Sequence, residues 1–473
     1  MKIYSCYKVK IQDAPKHELT ATAEAYQSAL RFFVDVCLKK WDSISSIHAD
    51  PVTQKGLSDN TIRKQYVEAL THQTKNNPLP RYDFDSSFPK FPSYLRRSAI
   101  MEALGMVQSY KSNLANWEVS ARKNGKPKPP TVGRSFPFMY KGNCFLRISE
   151  DEAKLKALVR NTWDWVTVTL KGSDLSYIRE HCINRKEGCP TLRRRGKNWF
   201  LDFPFEERAE LDKTPLKEKV ALGVDLGINS AAVCSAIDAG GAVCGRRFLK
   251  LPHENDRLRR GCNLIRRAQR NGAKRMPHLW AGVNGQNKAM AVKTARFIVQ
   301  AAVDFGAHVI VFEHLDLQGR KHGKMAQRLH LWNANAVQKM VADMAHRNGI
   351  RVSHVNARNT SKLAFDGSGE VSRDKDNASL CTFASGKRYN CDLSASYNIG
   401  ARYFIRELLK PLPVTTRRQL EAEVPSAVKR TTCTLSTLSG LSAALSAPRR
   451  KQLSSAPYRA GAVQFPKGAS VPF

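Results

Sequence analysis

Residues 1–13, MKIYSCYKVKIQD, alternate between apolar and polar positions with the period of two that marks a half-buried strand. The period then lengthens. Tyr26, Leu30, Phe33, Cys37 and Trp41 recur at three- and four-residue spacing, which predicts one face of a helix packed on a core. After the breaker-rich segment FPKFPS, where Pro92 and Ser93 supply a helix start, Ala103, Met106, Val107, Tyr110, Leu114 and Trp117 predict a second helix with a core-facing stripe. From Lys126 to Glu206 the period is two again: KPKPP punctuates the chain, WVTVTL alternates over 165–170, and Trp199, Leu201, Phe203 and Phe205 point to one side. A strand, a helical stretch and then further strands predict a small antiparallel β-barrel carrying an inserted helical domain.

Near Lys219 the pattern changes to α/β. A helix with Ala291, Val292, Ala295, Ile298, Val299 and Ala302 on its apolar face leads through Gly306, a helix stop, into the strand-forming run His308–Phe312. Tyr397, Ile399, Ala401, Tyr403, Phe404 and Leu408 predict a helix ending before Pro411. Residues 411–473 are rich in Ser, Ala, Thr, Pro and Arg with little periodicity, and read as a disordered basic tail. The fold class is therefore multidomain, α+β in the first half and α/β in the second.

Composition adds a partner. With 473 residues, 42% of them hydrophobic, the chain has ample material for two to four buried cores. It carries 77 Lys and Arg against 41 Asp and Glu, a net charge of +36, which calls for a polyanionic partner and would repel itself without one. No run of 18 apolar residues occurs and the N-terminus lacks a signal-peptide core, so a membrane partner is not expected and the prokaryotic cytoplasm or nucleoid is. The 11 cysteines show no pairing rhythm and read as reduced thiols. Within RLRRGCNLIRRAQRNGAKR, the cations Arg257, Arg259, Arg260, Arg266, Arg267, Arg270, Lys274 and Arg275 are expected on one helix. Almost no acids lie between them to form the i,i+4 pairs of a solvated face, so contact with phosphates is the favoured reading.

Charge alone would equally fit a ribosomal or histone-like protein. Three acids argue for chemistry as well. Asp225 lies in the turn G-x-D-x-G (Gly223, Gly227) after an apolar run, Glu313 closes the run His308–Phe312, and Asp392 opens D-x-x-A-x-x-N-I with Ala395, Asn398 and Ile399. Each stands at the end of a stiff element, where carboxylate oxygens can be held against hard divalent cations about 3.5–4 Å apart. Asp392 would also sit at the positive end of its helix, which favours the ionised form.

These three segments resemble the RuvC-I, RuvC-II and RuvC-III motifs of TnpB-type transposon-encoded nucleases and compact type V CRISPR effectors, over residues 219–405. The resemblance implies a RuvC (RNase H-like) domain with Asp225, Glu313 and Asp392 as catalytic, Mg²⁺-binding carboxylates. Ser394 stands where the third motif usually has Asn, and His314 where an acid often follows the second-motif Glu; neither change removes a metal ligand. It also implies a division of the chain: residues 1–20 and 126–212 as a wedge barrel, 21–125 as a helical recognition lobe, 213–362 as the nuclease domain with motifs I and II, 363–390 as a target-binding loop, 391–410 as motif III and its helix, and 411–473 as the tail.

In the resembled family two C-x-x-C pairs between motifs II and III bind zinc, after a Thr-Ser pair. Here Thr360 and Ser361 are present, but the first pair falls near Ala364 and Gly367, and of the second only Cys381 persists, its partner position falling near Ala384. Cys381 and Cys391 supply two of the four ligands a structural zinc requires, with His354 poorly placed, so no zinc is expected. The loop keeps Lys362, Arg373, Lys375, Lys387 and Arg388 for a target strand. Cys182 and Cys189 with His181 read as hairpin packing. The function implied is an RNA-guided DNA endonuclease with guide RNA and target DNA as partners; a guided repressor that does not cut, and an RNase H-fold transposase, are the alternatives.

Overall fold

Helices and strands mix in both halves of the computed structural model, which describes residues 1–50, 52–75, 77–120, 125–227, 230–315, 333–374, 376–377 and 379–446. Two units separate at the linker, Met1–Arg208 and Ala209–Phe473. No helix among the described residues is long and apolar enough to cross a membrane.

The first unit contains β1 (Lys2–Lys10), α1 (Lys16–Lys39), α2 (Trp41–Ser45), α3 (Asp59–Thr71), α4 (Phe84–Ser87), α5 (Ser93–Val119), β2 (Phe145–Arg147), β3 (Glu152–Val159), β4 (Thr162–Thr169), α6 (Gly172–His181), β5 (Lys186–Glu187), β6 (Thr191–Arg195) and β7 (Asn198–Arg208). The first strand pairs antiparallel with the last over the whole of β1, Lys2 opposite Arg208 and Lys10 opposite Phe200. Alternation sets the inner face of β7, where Trp199, Leu201, Phe203 and Phe205 are buried. The strands do not close into the expected barrel. Among the described residues they form one four-stranded sheet (β1, β5, β6, β7) and one three-stranded sheet (β2, β3, β4), joined by a bridge between Ile11 and Leu170. Beyond the three residues of β2 that pair with it, β3 is met by a helix: the Leu158 amide donates to Thr22 Oγ1 of α1 at 2.8 Å. α5 starts at Ser93 as its breakers predict, but only its first half is core. Leu95, Ala99, Ile100, Ala103 and Val107 are buried, whereas Tyr110, Leu114 and Trp117 are half-exposed.

The second unit contains β8 (Val220–Asp225), β9 (Ala232–Asp238), β10 (Val243–Leu249), α7 (Pro252–Arg270), α8 (Pro277–Asp304), β11 (Val309–His314), α9 (Ala334–Arg347), β12 (Arg351–Asn356), β13 (Ser372–Arg373), β14 (Leu380–Thr382), β15 (Arg388–Asn390), α10 (Cys391–Leu409), α11 (Val414–Glu423) and α12 (Leu435–Ser446). Its main sheet has the order β10-β9-β8-β11-β12, with β8, β11 and β12 parallel and β9 and β10 antiparallel. Both faces are covered. Leu222, Val224, Ile310 and Phe312 pack against Ala295, Ile298 and Val341 of α8 and α9. Ala221, Val309 and Val311 face Ile399 and Phe404 of α10. Burial on both sides is why these strands read as continuous apolar runs rather than alternating ones.

The tail departs from its sequence reading. Residues 414–423 and 435–446 are helical, and Leu420, Leu435, Leu438 and Leu441 are buried in the core that holds α10. The leucines at 435, 438 and 441 carry the helical period, but the serines around them give the segment a disordered composition. Residues 447–473 lie outside the described part. In α7 the expected eight-cation helix is shorter: Asn271 and Gly272, the latter at φ +82°, end it, so Lys274 and Arg275 fall in the connection to α8.

Candidate active site

Asp225 and Glu313 are brought together by register. β8 and β11 run parallel with Val309 opposite Ala221 and Phe312 opposite Val224, so Glu313 stands one step further, level with Asp225 on the neighbouring strand. Parallel neighbours are spaced about 4.8 Å apart. The third acid comes from α10. Asn390 caps this helix by accepting from the Leu393 amide at 2.9 Å, which puts Asp392 in its first turn.

Glycine sets how closely α10 lies on the sheet. A methyl group on Gly223 would stand 2.2 Å from the Ser396 carbonyl oxygen and 2.8 Å from the Gly400 nitrogen, and one on Gly400 would meet Ile237 at 2.8 Å. Strand and helix therefore touch backbone to backbone, one turn of helix from Asp392 and two residues from Asp225. Ser235 and Ser396 hydroxyls pair across the same contact.

The electrostatics of the three acids follow from this convergence. Burial, then Glu313 and Asp392, hold the Asp225 carboxyl well above the usual carboxylate range. Burial raises Glu313 as well, opposed by the Thr360 hydroxyl, which donates to Glu313 Oε1, and by the Arg402 charge. Burial raises Asp392, opposed by Ser230, Arg373 and Lys250. Among the described residues no three His, Cys, Asp or Glu side chains already stand at metal-ligating spacing. Glu313 and Asp392 both disfavour the ionised form of Asp225, and carboxylate oxygens that bear on a neighbour in this way are a donor chemistry that fits a divalent cation.

Several partners of these acids carry no signal in the sequence pattern. Thr360 enters that pattern only as half of a Thr-Ser pair, yet its hydroxyl holds Glu313. Arg373 enters it only as a loop cation, yet its charge reaches both Asp225 and Asp392. Asn398 is fully buried and donates to the carbonyls of Thr360 and Leu363 at 3.0 and 2.9 Å while accepting from the Leu435 amide at 3.1 Å. For this residue the signal is present, in the D-x-x-A-x-x-N-I pattern. Ser394 is buried and its hydroxyl has no hydrogen-bond partner among the described residues.

The other candidates have surroundings of their own. Arg257, Arg259, Arg260, Arg266, Arg267 and Arg270 lie on α7, whose buried residues are Cys262 and Ile265. All six arginines are exposed, and Lys274, Arg275 and Lys362 are exposed too. Arg388 is exposed but pairs with Asp374 at 2.9 Å. Lys375 lies outside the described residues. At the position of the resembled family's zinc module, Cys381 and Cys391 pack with Ala364 and Phe383, beside Phe365 and Tyr389. Burial first, and then Cys391, push the Cys381 thiol up to about 12, which keeps it a neutral packing group. His354 faces Phe312, ring centroids 6.1 Å apart. In the first unit Cys182 belongs to the core and Cys189 accepts from the Lys141 amide at 3.5 Å.

A family model described as the Aq_aa04 family matches residues 5–159. The uncharacterized protein aq_aa04 of Aquifex aeolicus (strain VF5) is 32% identical over 130 residues, covering 27% of this chain and 70% of that protein. TnpB-like protein aq_aa05 of the same organism is 26% identical over 233 residues, 44% of this chain and 74% of that one. Among solved structures, the AacC2c1–sgRNA binary complex aligns with a TM-score of 0.49 at 9% identity, covering 85% of this chain and 89% of that one.

Proposed function

For a chain that belongs to the Aq_aa04 family and is related to a TnpB-like protein, we propose an RNA-guided DNA endonuclease with a RuvC-like, RNase H-like nuclease domain. The observation that carries this reading is that Glu313, level with Asp225 on the adjacent parallel strand, and Asp392, in the first turn of α10, both bear electrostatically on the Asp225 carboxyl. A protein that only bound nucleic acid would gain nothing from three acids facing a polyanion. The sheet order β10-β9-β8-β11-β12 supports the same reading.

In this reading Asp225, Glu313 and Asp392 hold Mg²⁺ in a two-metal site. Those carboxylates would hold the ions, which when bound would supply activation of the attacking water and stabilisation of the leaving 3′-oxygen. Thr360 fixes the direction of the Glu313 carboxylate, while Ser230 and the α10 N-terminus favour ionised Asp392. Arg373, whose charge reaches two of the acids, meets the phosphate that is cut. Residues 1–20 and 126–212 act as the wedge, 21–125 as the recognition lobe, and 363–390 as a target-strand loop with Lys362 and Arg388 at its margins. Guide RNA pairing chooses the target. Sequencing RNA that co-purifies with the protein, and finding one defined species rather than random fragments, tests the guide; EDTA arresting the cut tests the metal.

The arginines of α7 grip phosphates in this reading. Changing Arg259, Arg266 and Arg270 to Gln is expected to weaken binding similarly for all target sequences. The log–log salt slope should flatten by roughly one unit for each phosphate no longer neutralised. Titrations at several salt concentrations measure it, and an unchanged slope would make that helix a solvated face.

A further inference from the structure

Arg402 is a cation held almost out of solvent, 5% exposed, and every hydrogen bond of its guanidinium among the described residues goes to backbone rather than to a carboxylate. Nη1 donates to the carbonyls of Asn356 and Arg358 at 2.7 and 2.8 Å, Nε to Cys433 at 3.0 Å, and Nη2 to Thr431 at 3.2 Å. Two of these acceptors lie where β12 exits toward Thr360. The other two lie in the segment leading into α12.

The 356–360 turn is over-determined. The Arg358 amide donates to Asn356 Oδ1 at 2.8 Å, Asn359 takes the left-handed conformation at φ +66°, and Asn398 holds the Thr360 carbonyl at 3.0 Å. At the end of this turn the Thr360 hydroxyl reaches Glu313. From the C-terminal side, the Leu435 amide donates to Asn398 at 3.1 Å and the Ser436 amide to the Phe365 carbonyl at 2.9 Å. Arg402 and Asn398 thus sit on one helix and tie the same two chain segments together.

We propose that Arg402 is a positioning residue for the carboxylate site, buckling the C-terminal segment 431–436 to the 356–360 turn so that Thr360 holds Glu313 in its working direction. The inference rests on the nuclease reading for its consequence in cutting, but not for its structural content. A planar fork is required, because four carbonyls from two segments cannot be met by a point charge on a flexible stem. Loss of the fork leaves buried carbonyls unpaired and frees the turn.

The test uses the full chain with its RNA, comparing Arg402→Gln, Arg402→Lys and Thr360→Val. Arg402→Gln is expected to speed amide hydrogen exchange at residues 356–361 and 431–436. It should also raise the Mg²⁺ needed for half-maximal cutting by about 10-fold or more, with target affinity unchanged, the size of effect seen when a group behind a metal ligand is removed. Arg402→Lys should recover only part of this, and Thr360→Val should shift the Mg²⁺ requirement without speeding exchange at 431–436. Unchanged exchange in folded Arg402→Gln would overturn the proposal, as would an unchanged Mg²⁺ requirement in that variant when the wild-type protein cuts. If Arg402→Gln does not fold, Thr360→Val decides: wild-type Mg²⁺ dependence there overturns it. A wild-type chain that never cuts refutes the nuclease reading, and the exchange experiment still judges the buckle.

Discussion

Asp225→Asn is expected to abolish cutting, by about 10³-fold or more, while guided DNA binding persists and the metal-free protein becomes more stable at neutral pH. In the nuclease reading the loss follows from removing a carboxylate oxygen proposed to bind metal without removing any positive charge that grips nucleic acid. The gain follows from repulsion. Burial and two neighbouring acids raise the Asp225 carboxyl above its ordinary range, so the folded chain holds a proton that the unfolded chain has released. Stability of the metal-free protein therefore falls as pH rises from the ordinary carboxylate range through the raised one. Asparagine cannot ionise and removes that fall, a stabilisation of roughly 0.5–2 kcal/mol of the kind seen when a functional site is relaxed. Urea unfolding of both proteins in EDTA at mildly acid and neutral pH measures it. A variant no more stable than the parent at neutral pH would mean that the three acids do not burden the fold.

Gly223→Ala is expected to cost the second unit about 3 kcal/mol, the upper end of overpacking penalties, because the new methyl meets backbone rather than a side chain that can turn away. Helix α10 would have to lift from β8, carrying Asp392 away from Asp225, so cutting should fall together with stability. Gly105, which lies in α5 with open space at its Cβ, provides the control, and Gly105→Ala should be neutral or stabilising by up to about 1 kcal/mol. Equal melting temperatures for Gly223→Ala and the parent would contradict the close approach of strand and helix.

What the sequence revealed and what it hid divide along physical lines. Asp225, Glu313 and Asp392 are legible because each adjoins a stretch with a strong pattern, and a pattern reports which side of an element is buried. The helix and strand core of both units is legible for the same reason, from Trp199 to Phe205 and from Ala295 to Ile298. The leucines of α12 are not, since their spacing is diluted by serine and alanine whose composition resembles a disordered tail. Nor are Thr360, Arg373 and Arg402, which act through residues far away in sequence and leave no local period. The closed barrel fails for a related cause: alternation marks strands, but which strands pair and whether their sheets close is decided by contacts far apart in sequence.

Guided cutting is tested most directly by combining purified protein, Mg²⁺ and duplex DNA that carries a site complementary to the co-purified RNA, with and without prior RNase treatment of the protein. Cutting that requires the RNA and falls beside the complementary site is the expected result. Equal cutting after RNase treatment would contradict it and indicate an unguided nuclease or transposase, whereas tight guided binding without any cut would contradict it in favour of a repressor.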